Sequence, residues 1–534
     1  MWISEKRSFI VIPAGCLTGI HTCTIPAKMR SKSNFALTYH FPSIKLSSIR
    51  SLYARYRFIK GKIEMSSAMR ITGIRLKNYR QFRDFNLDLT DPKTKEPLDK
   101  VCFIGATGTG KSTLLALFAE LLDTGSKTEN YKKEEETNQL IVYKVCQSNE
   151  NFFILHDKTH NSGKWSKTPY VLPLSASLTA EWIQLWDAEI DHHKDENLQI
   201  FLANNDLTKE DNNILERLTL QDNGTDLAIY APPDGSSYID DVPQTNLSNA
   251  LALFNSFSAY HEASFSKLED FWNVLIYQIK RRESDYLQFL DSSAAQTLSV
   301  AEANAQFNQK HQRILNELAK QWEPVLGPSG LEFDVEDAQI PVQLTENLQV
   351  YIKQKYSDVQ IPYNLLSTGI RIFIFRIGHI FTLYFNRQIE RGFLLVDEPE
   401  TSLSPDLLHD IIAQYESIIH NTQFFVATHS PIVAAQFRPE ERIILEFDEN
   451  RTVNWRHGVS PEGDDPNDLL MNDFGIQSLY REKGNKEYRK YLALRQQILA
   501  TEHKEDKIAL IDEYAKIGNA YNFPANDAIS TKVN

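Results

Sequence analysis

Several short, wholly apolar runs in this chain end abruptly in glycine, acid or histidine. Val101-Cys-Phe-Ile104 leads into Gly105, Phe393 to Val396 into Asp397-Glu398-Pro399, and Phe424 to Ala427 into Thr428-His429. Runs of this length, bounded by turn residues, read as strands buried on both faces, as in a parallel sheet. Ile71 to Phe82 behaves differently, because it alternates apolar and polar residues like a half-buried strand and turn. Gln139 to Val145, Phe152 to Leu155 and Arg442 to Phe447 are further strand candidates.

A helical period appears elsewhere. Phe265, Leu268, Phe271, Trp272, Leu275, Ile276 and Ile279 recur at helical spacing, pause near Asp291-Ser-Ser293, and resume from Phe307 to Leu318. This predicts a helical hairpin or arm over about Glu262 to Trp322. Residues 174–221 read as helical and loop-rich, with Trp182 and Trp186 four apart on one face, a spacing typical of core. The most apolar stretch, Ile370 to Phe385, carries Arg371, Arg376 and His379, so it reads as a helix and not as a membrane span. A charged helix is predicted from about Lys486 to Ile517, with an exposed apolar side at Tyr488, Tyr491, Leu492 and Leu494.

Composition narrows the class. With 534 residues, 42% of them apolar, the chain can bury one large core plus an inserted or appended subdomain. Cys16, Cys23, Cys102 and Cys146 show no paired metal spacing and suggest a reducing, cytoplasmic setting. The formal net charge of −13 argues against broad, sequence-independent DNA binding, and the basic triplet Lys280-Arg281-Arg282 reads as a solvated helix end. Residues 1–68 differ from the rest: 11 Lys and Arg face only Glu5 and Glu64, leaving 46 basic and 68 acidic residues elsewhere. A transit peptide, a lipoprotein leader, or translation that truly starts at Met65 or Met69 all fit this segment. The last is the plainest account, and it makes 1–68 a non-native or disordered extension.

The three run ends carry the chemistry. Gly105-Ala106-Thr107-Gly108-Thr109-Gly110-Lys111-Ser112-Thr113 has the P-loop spacing, in which loop N–H groups and a helix N-terminus converge on phosphates. Lys111 is expected to reach the β- and γ-phosphates and Ser112 to bind Mg²⁺. Asp397, at the end of a buried strand, is expected to hold Mg²⁺, and Glu398 to polarise the attacking water. His429, 31 residues beyond Glu398, is expected on the adjacent strand as a γ-phosphate sensor. The cofactors implied are ATP and Mg²⁺.

The arrangement resembles the ATP-binding-cassette ATPases, in particular their soluble branch of RecF, SMC and OLD-type heads. Ile71 to Phe82 is similar to their first strand and turn, and Asn364-Leu-Leu-Ser367-Thr368-Gly369-Ile370-Arg371 to their signature loop, with Ile370 where a Glu, Gln or Lys is usual. Pro399 and Ser402-Leu-Ser-Pro405 are similar to the loop that meets the partner subunit. The resemblance covers roughly 70–122 and 360–440. It implies that Ser367 and Gly369 contact the nucleotide of a second subunit, hence a head-to-head dimer or higher oligomer. The expected fold is α/β, an ABC-type P-loop head with a helical insertion and a short helical tail. Its segments are 1–68, the extension; 69–173, the N-terminal lobe; 174–330, a mainly helical insertion; 331–447, the C-terminal lobe; and 448–534, a tail with a partner-docking helix.

No Toprim acids, His-Asn-His cluster or zinc-binding cysteine pairs accompany these motifs. A head of this kind with a short tail, including Asp464-Asp-Pro-Asn467-Asp468-Leu-Leu and a Phe474-Gly475 turn, resembles the PtuA-type ATPases of Septu and retron antiphage systems. That resemblance implies a defence role, an HNH nuclease of the PtuB kind as partner, and in retrons a reverse transcriptase with its RNA–DNA product. A RecF- or SMC-like DNA repair or recombination ATPase and a transporter energiser stay open as alternatives.

Overall fold

The alternating segment at the start of the described chain pairs with itself. β1 (Arg70–Tyr79) and β2 (Phe82–Asp88) run antiparallel from Gly73↔Asp88 to Tyr79↔Phe82, joined by a tight turn with Asn78 and Arg80 at left-handed φ of 52° and 51°. β3 (Lys100–Gly105) is apolar and buried, and passes into helix α1 (Lys111–Leu122). β4 (Leu140–Gln147), β5 (Glu150–Asp157) and β6 (Tyr170–Pro173) return to the first sheet, whose strand order is β2-β1-β4-β5-β6. The computed structural model describes residues 69–123, 140–147, 150–157, 170–173, 218–222, 224–233, 258–264, 268–293, 295–311, 313–335, 352–357, 359–361, 365–463, 465–476, 480–501, 503–521 and 523. The 1–68 extension and the Trp182–Trp186 pair lie outside these residues.

Later segments build a second, larger sheet. Into it go β7 (Asp226–Ala231) and β8 (Tyr260–Glu262), while β9 (Leu331–Phe333), β10 (Ile352–Gln354) and β11 (Gln360–Ile361) form a small sheet of their own. With β12 (Arg391–Asp397), β13 (Thr422–Ala427), β14 (Arg442–Phe447) and β15 (Val453–His457), the large sheet has the order β15-β14-β3-β13-β12-β7-β8. Every pairing in it is parallel except β14 with β15.

Both faces of that sheet are covered, which is why its strands read as unbroken apolar runs. Phe393, Leu395 and Phe425 face α1 through Leu114, Leu115 and Phe118, in a core shared with β1 and β4. Leu394, Val396, Phe424 and Val426 face the opposite core. There lie α4 (Ile314–Leu326) and α5 (Thr368–Tyr384), where the Trp322 indole N–H donates to the Ile374 carbonyl at 3.0 Å. α1 is thus sandwiched between the two sheets. Phe118 packs on Phe425 on one side and Tyr143 on the other, and the Tyr143 hydroxyl donates to Leu117 O at 2.9 Å.

The helical arm has three parts, α2 (Leu268–Leu290), α3 (Val300–Lys310) and α4. The stretch expected as a mainly helical insertion, 174–330, needs correcting in one respect: its strands β7 and β8 belong to the head sheet, β7 directly beside β12. A six-residue run too short to show a period, Asp226-Leu-Ala-Ile-Tyr-Ala231, gave little warning of this. The buried Arg391–Asp226 ion pair ties the two strands together where they begin.

Short helices α6 (Pro405–Leu408), α7 (Ile411–Ile418) and α8 (Pro431–Ala434) connect the remaining strands, and α9 (Pro466–Asn472) follows β15. The expected single tail helix is a hairpin, α10 (Glu482–Ala500) and α11 (Lys504–Tyr521). Its apolar side is mostly consumed internally. Tyr491 stacks on Tyr514 with ring centroids 4.0 Å apart, Leu494 and Ile498 are buried, and Leu492 alone of the four expected positions is exposed. Among the described residues no helix is long and apolar enough to cross a membrane.

One buried side chain joins the two sheets. Gln423, fully buried at the start of β13, accepts from Ile71 N at 2.8 Å and donates to Ile71 O at 2.9 Å and Leu98 O at 2.8 Å. Gln423→Leu would orphan three buried backbone groups, each costing about 1–3 kcal/mol. The expected result is a urea midpoint lowered by about 3 kcal/mol or more of unfolding free energy; a midpoint equal to the parent's would show that the sheets do not depend on this residue.

Candidate functional site

Because β3, β13 and β12 are adjacent and parallel, their C-terminal ends meet at one edge. Val426 lies beside Cys102 and Val396, and Ala427 beside Phe103 and Asp397. The strand–loop–helix turn after β3 is shaped by glycines where side chains would not fit. Gly105 has φ 144°, and a Cβ there would lie 2.2 Å from Leu445 O; Gly110 has φ 98°, and a Cβ would lie 2.4 Å from the Phe82 ring and 2.3 Å from Gln81 Nε2. At Gly108, with φ 87°, a Cβ would meet nothing within 4 Å, so the loop is open on that side. Thr109 closes the turn by donating its hydroxyl to Ala106 O at 2.8 Å.

Lys111 folds back over this loop. Its Nζ donates to Gly105 O at 2.9 Å and Ala106 O at 3.1 Å, and the side chain is buried. Burial draws its pKa below the ordinary value, opposed by Asp397, Glu398 and Glu400. Three carboxyl groups therefore share the field of one lysine.

Asp397, at the last position of β12, is 1% exposed. Burial pushes its pKa up to about 6; a hydrogen bond from the Ser112 hydroxyl opposes the shift and Glu398 adds to it. Its second carboxylate oxygen, Oδ2, is buried and accepts no hydrogen bond. A Ser hydroxyl against a carboxylate with an uncompensated oxygen is a donor set that fits a hard divalent cation such as Mg²⁺.

Glu398 sits half-buried at a left-handed φ of 47°. Its N–H donates to Ala427 O at 2.9 Å, and its carbonyl accepts from Arg376 Nη1 at 3.2 Å and Thr401 Oγ1 at 3.0 Å. His429 lies at the next strand end, exposed, and its backbone N–H donates to Glu400 Oε1 at 2.7 Å. Burial and the Lys111 charge lower the His429 pKa, while Glu398 and Glu400 raise it. Lys111, Ser112, Asp397, Glu398 and His429 thus converge on one sheet edge, with Thr113 in the first turn of α1.

The signature-loop residues lie apart from this cluster along the chain of contacts. Ser367 is the exposed N-cap of α5, its hydroxyl accepting from Ile370 N at 3.4 Å. Gly369 is buried against the loop after β12, where a Cβ would stand 2.0 Å from Ser402 O. Four residues were given no part in the site from sequence. Glu400 joins the β12 and β13 loops, but two residues beyond Glu398 it reads as part of a solvated acidic turn. Arg376 was visible only as a break in an apolar helix, although a buried arginine always demands partners. Gln81 and Phe82 crowd Gly110 from another sheet, a contact with no local signal.

Residues 69–434 match the AAA ATPase domain family. The chain belongs to that family. This AAA ATPase is an ATP-hydrolysing enzyme with an α/β fold. It is also similar to an Smc head domain with an extended coiled coil from Pyrococcus furiosus, at 12% identity and TM-score 0.37, covering 73% of this chain and 96% of that one. An SMC head domain from Thermotoga maritima matches at 11% identity and TM-score 0.34, covering 73% and 100%.

The raised pKa of Asp397 has a cost for the free AAA ATPase. A carboxyl whose folded pKa lies above its unfolded value makes the native state bind more protons, so its contribution favours folding below about pH 4 and is lost as pH rises through about 6. At pH 7, without nucleotide or metal, Asp397→Asn should therefore stabilise the fold by about 1–3 kcal/mol. Thermal unfolding checks this: a higher midpoint at pH 7 that converges on the parent near pH 4 is expected, and a lower midpoint at pH 7 would contradict it.

Proposed function

We propose that this chain binds Mg·ATP at the Gly105–Thr113 loop and hydrolyses it with Glu398 as the base. The convergence of Lys111, Ser112, Asp397, Glu398 and His429 at one sheet edge carries this reading. The loop N–H groups and the N-terminus of α1 receive the phosphates. Lys111 exchanges its two loop carbonyls for phosphate oxygens, a trade of neutral acceptors for charged ones. Ser112 and Asp397 would hold Mg²⁺, which when bound neutralises charge across the β- and γ-phosphates. Glu398 takes the proton from the attacking water, and His429 contacts the γ-phosphate from the adjacent strand. Ser367 and Gly369, at the N-terminus of α5, serve the nucleotide of a second copy, so the working unit is a head-to-head dimer or a higher oligomer.

The two central variants separate binding from chemistry. Lys111→Ala should abolish measurable ATP binding by calorimetry, because it removes the counter-charge of the loop. Glu398→Gln should keep ATP affinity within about threefold while lowering kcat by about 10²–10⁴. Wild-type turnover by the Gln variant would remove Glu398 from its role.

The resemblance to PtuA-type ATPases supports a finer reading, in which this cytoplasmic ATPase regulates a partner HNH nuclease in a Septu-like or retron-associated antiphage system. In the retron case the reverse transcriptase and its RNA–DNA product join the complex. The partner docks on the C-terminal hairpin, where Leu492, Leu499 and Ile508 remain exposed beside the internally packed tyrosines. Alone, the chain should hydrolyse ATP yet leave DNA and RNA intact with Mg²⁺ or Mn²⁺. Gel assays with and without an HNH partner test this; metal-dependent cleavage by the purified chain would favour a different class.

A further inference from the structure

Two residues between β12 and α6 adopt a backbone conformation that side chains disfavour: Glu398 at φ 47° and Ser402 at φ 62°. Left-handed conformations at such residues persist where surrounding contacts enforce them. Here both ends of the segment are held by the same helix. Near its N-terminus, Gly369 of α5 presses against Ser402 so closely that a Cβ would stand 2.0 Å from the carbonyl oxygen. Two turns further along α5, Arg376 reaches the Glu398 carbonyl.

Arg376 is 1% exposed on α5, and its guanidinium spans two strand ends. Nη1 donates to Glu398 O at 3.2 Å, and Nη2 to Pro232 O, just beyond β7, at 2.8 Å. Lysine could not reproduce this, because its single ammonium lacks the planar fork that bridges two carbonyls. Thr401 completes the hold on Glu398 O, through its hydroxyl at 3.0 Å and its N–H at 3.2 Å.

We propose that Arg376 is a positioning residue for ATP hydrolysis: it fixes the backbone of Glu398 so that the carboxylate faces the attacking water, and it couples that carboxylate to the helix bearing Ser367. This rests on the reading of Glu398 as the base. The guanidinium is buried against two backbone carbonyls, so its contribution belongs to kcat and not to ATP affinity. Because α5 also carries Gly369, any shift of the signature loop is passed to the Glu398–Ser402 segment through two rigid contacts.

The test uses the full chain with steady-state kinetics, ATP calorimetry and thermal unfolding. Arg376→Lys should lower kcat about tenfold to a hundredfold while ATP affinity stays within about threefold, since small misplacement of a reacting group costs on this scale. Thr401→Val, a milder change to the same carbonyl, should lower kcat by less. The double variant should fall no more than about twofold below Arg376→Lys, as expected of residues acting on one group. A folded Arg376→Lys chain with unchanged kcat, or Thr401→Val with unchanged kcat where the Lys variant does not fold, would overturn the proposal. So would multiplicative losses, or losses of kcat and affinity in equal measure. A parent that binds ATP without hydrolysing it would instead remove the reading of Glu398 itself, and this proposal with it.

Discussion

The parallel register of β3, β13 and β12 is the constraint on which the site depends. Side-by-side pairing through Cys102, Val426 and Val396 fixes where three chain segments end, the first of them nearly 300 residues before the other two in sequence. An open parallel sheet offers its ligand-binding crevice at the carboxyl ends of its strands. Here that edge receives a glycine-rich loop from one strand, two acids from the second and a histidine from the third. The geometry is therefore a property of the sheet, and the loops only elaborate it.

Charge at that edge is unbalanced in the free protein. Asp397, Glu398 and Glu400 share the field of Lys111, itself buried against loop carbonyls, and the Arg376 guanidinium also acts on Asp397. Burial pushes the Asp397 carboxyl up to about 6, with Glu398 and Glu400 adding to the shift, and its buried Oδ2 accepts no hydrogen bond. On the proposed reading, a divalent cation would relieve the acids and phosphates would occupy the loop amides. On that reading, stability is given up in the free state for a site that would receive a metal–polyphosphate, a common trade at functional sites.

Much of this was legible in the sequence where the signal is local. The strand runs at Val101, Phe393 and Phe424 and the glycine spacing from Gly105 to Gly110 each encode their own conformation. So does the helix from Thr368 to Tyr384, whose polar residue Arg376 had the right address but no visible partner. Non-local features were hidden. β7 joins the head sheet from inside a stretch expected to be a helical insertion, because six residues buried on both faces show no distinguishing period. Gln423 gives no hint that it joins two sheets, since its three partners lie more than 300 residues earlier. The tail illustrates the limit of amphipathicity: Tyr488, Tyr491 and Leu494 announce that a face is covered but not by what, and α11 turns out to cover most of it.

The most direct test is a crystal structure of the Glu398→Gln chain grown with Mg·ATP. The account requires the β- and γ-phosphates on the Gly105–Thr113 loop with Lys111 Nζ turned from Gly105 O to a phosphate oxygen, and the metal bound by Ser112 on the Asp397 side. A nucleotide seated elsewhere, or a metal held without Ser112 and Asp397, would contradict it.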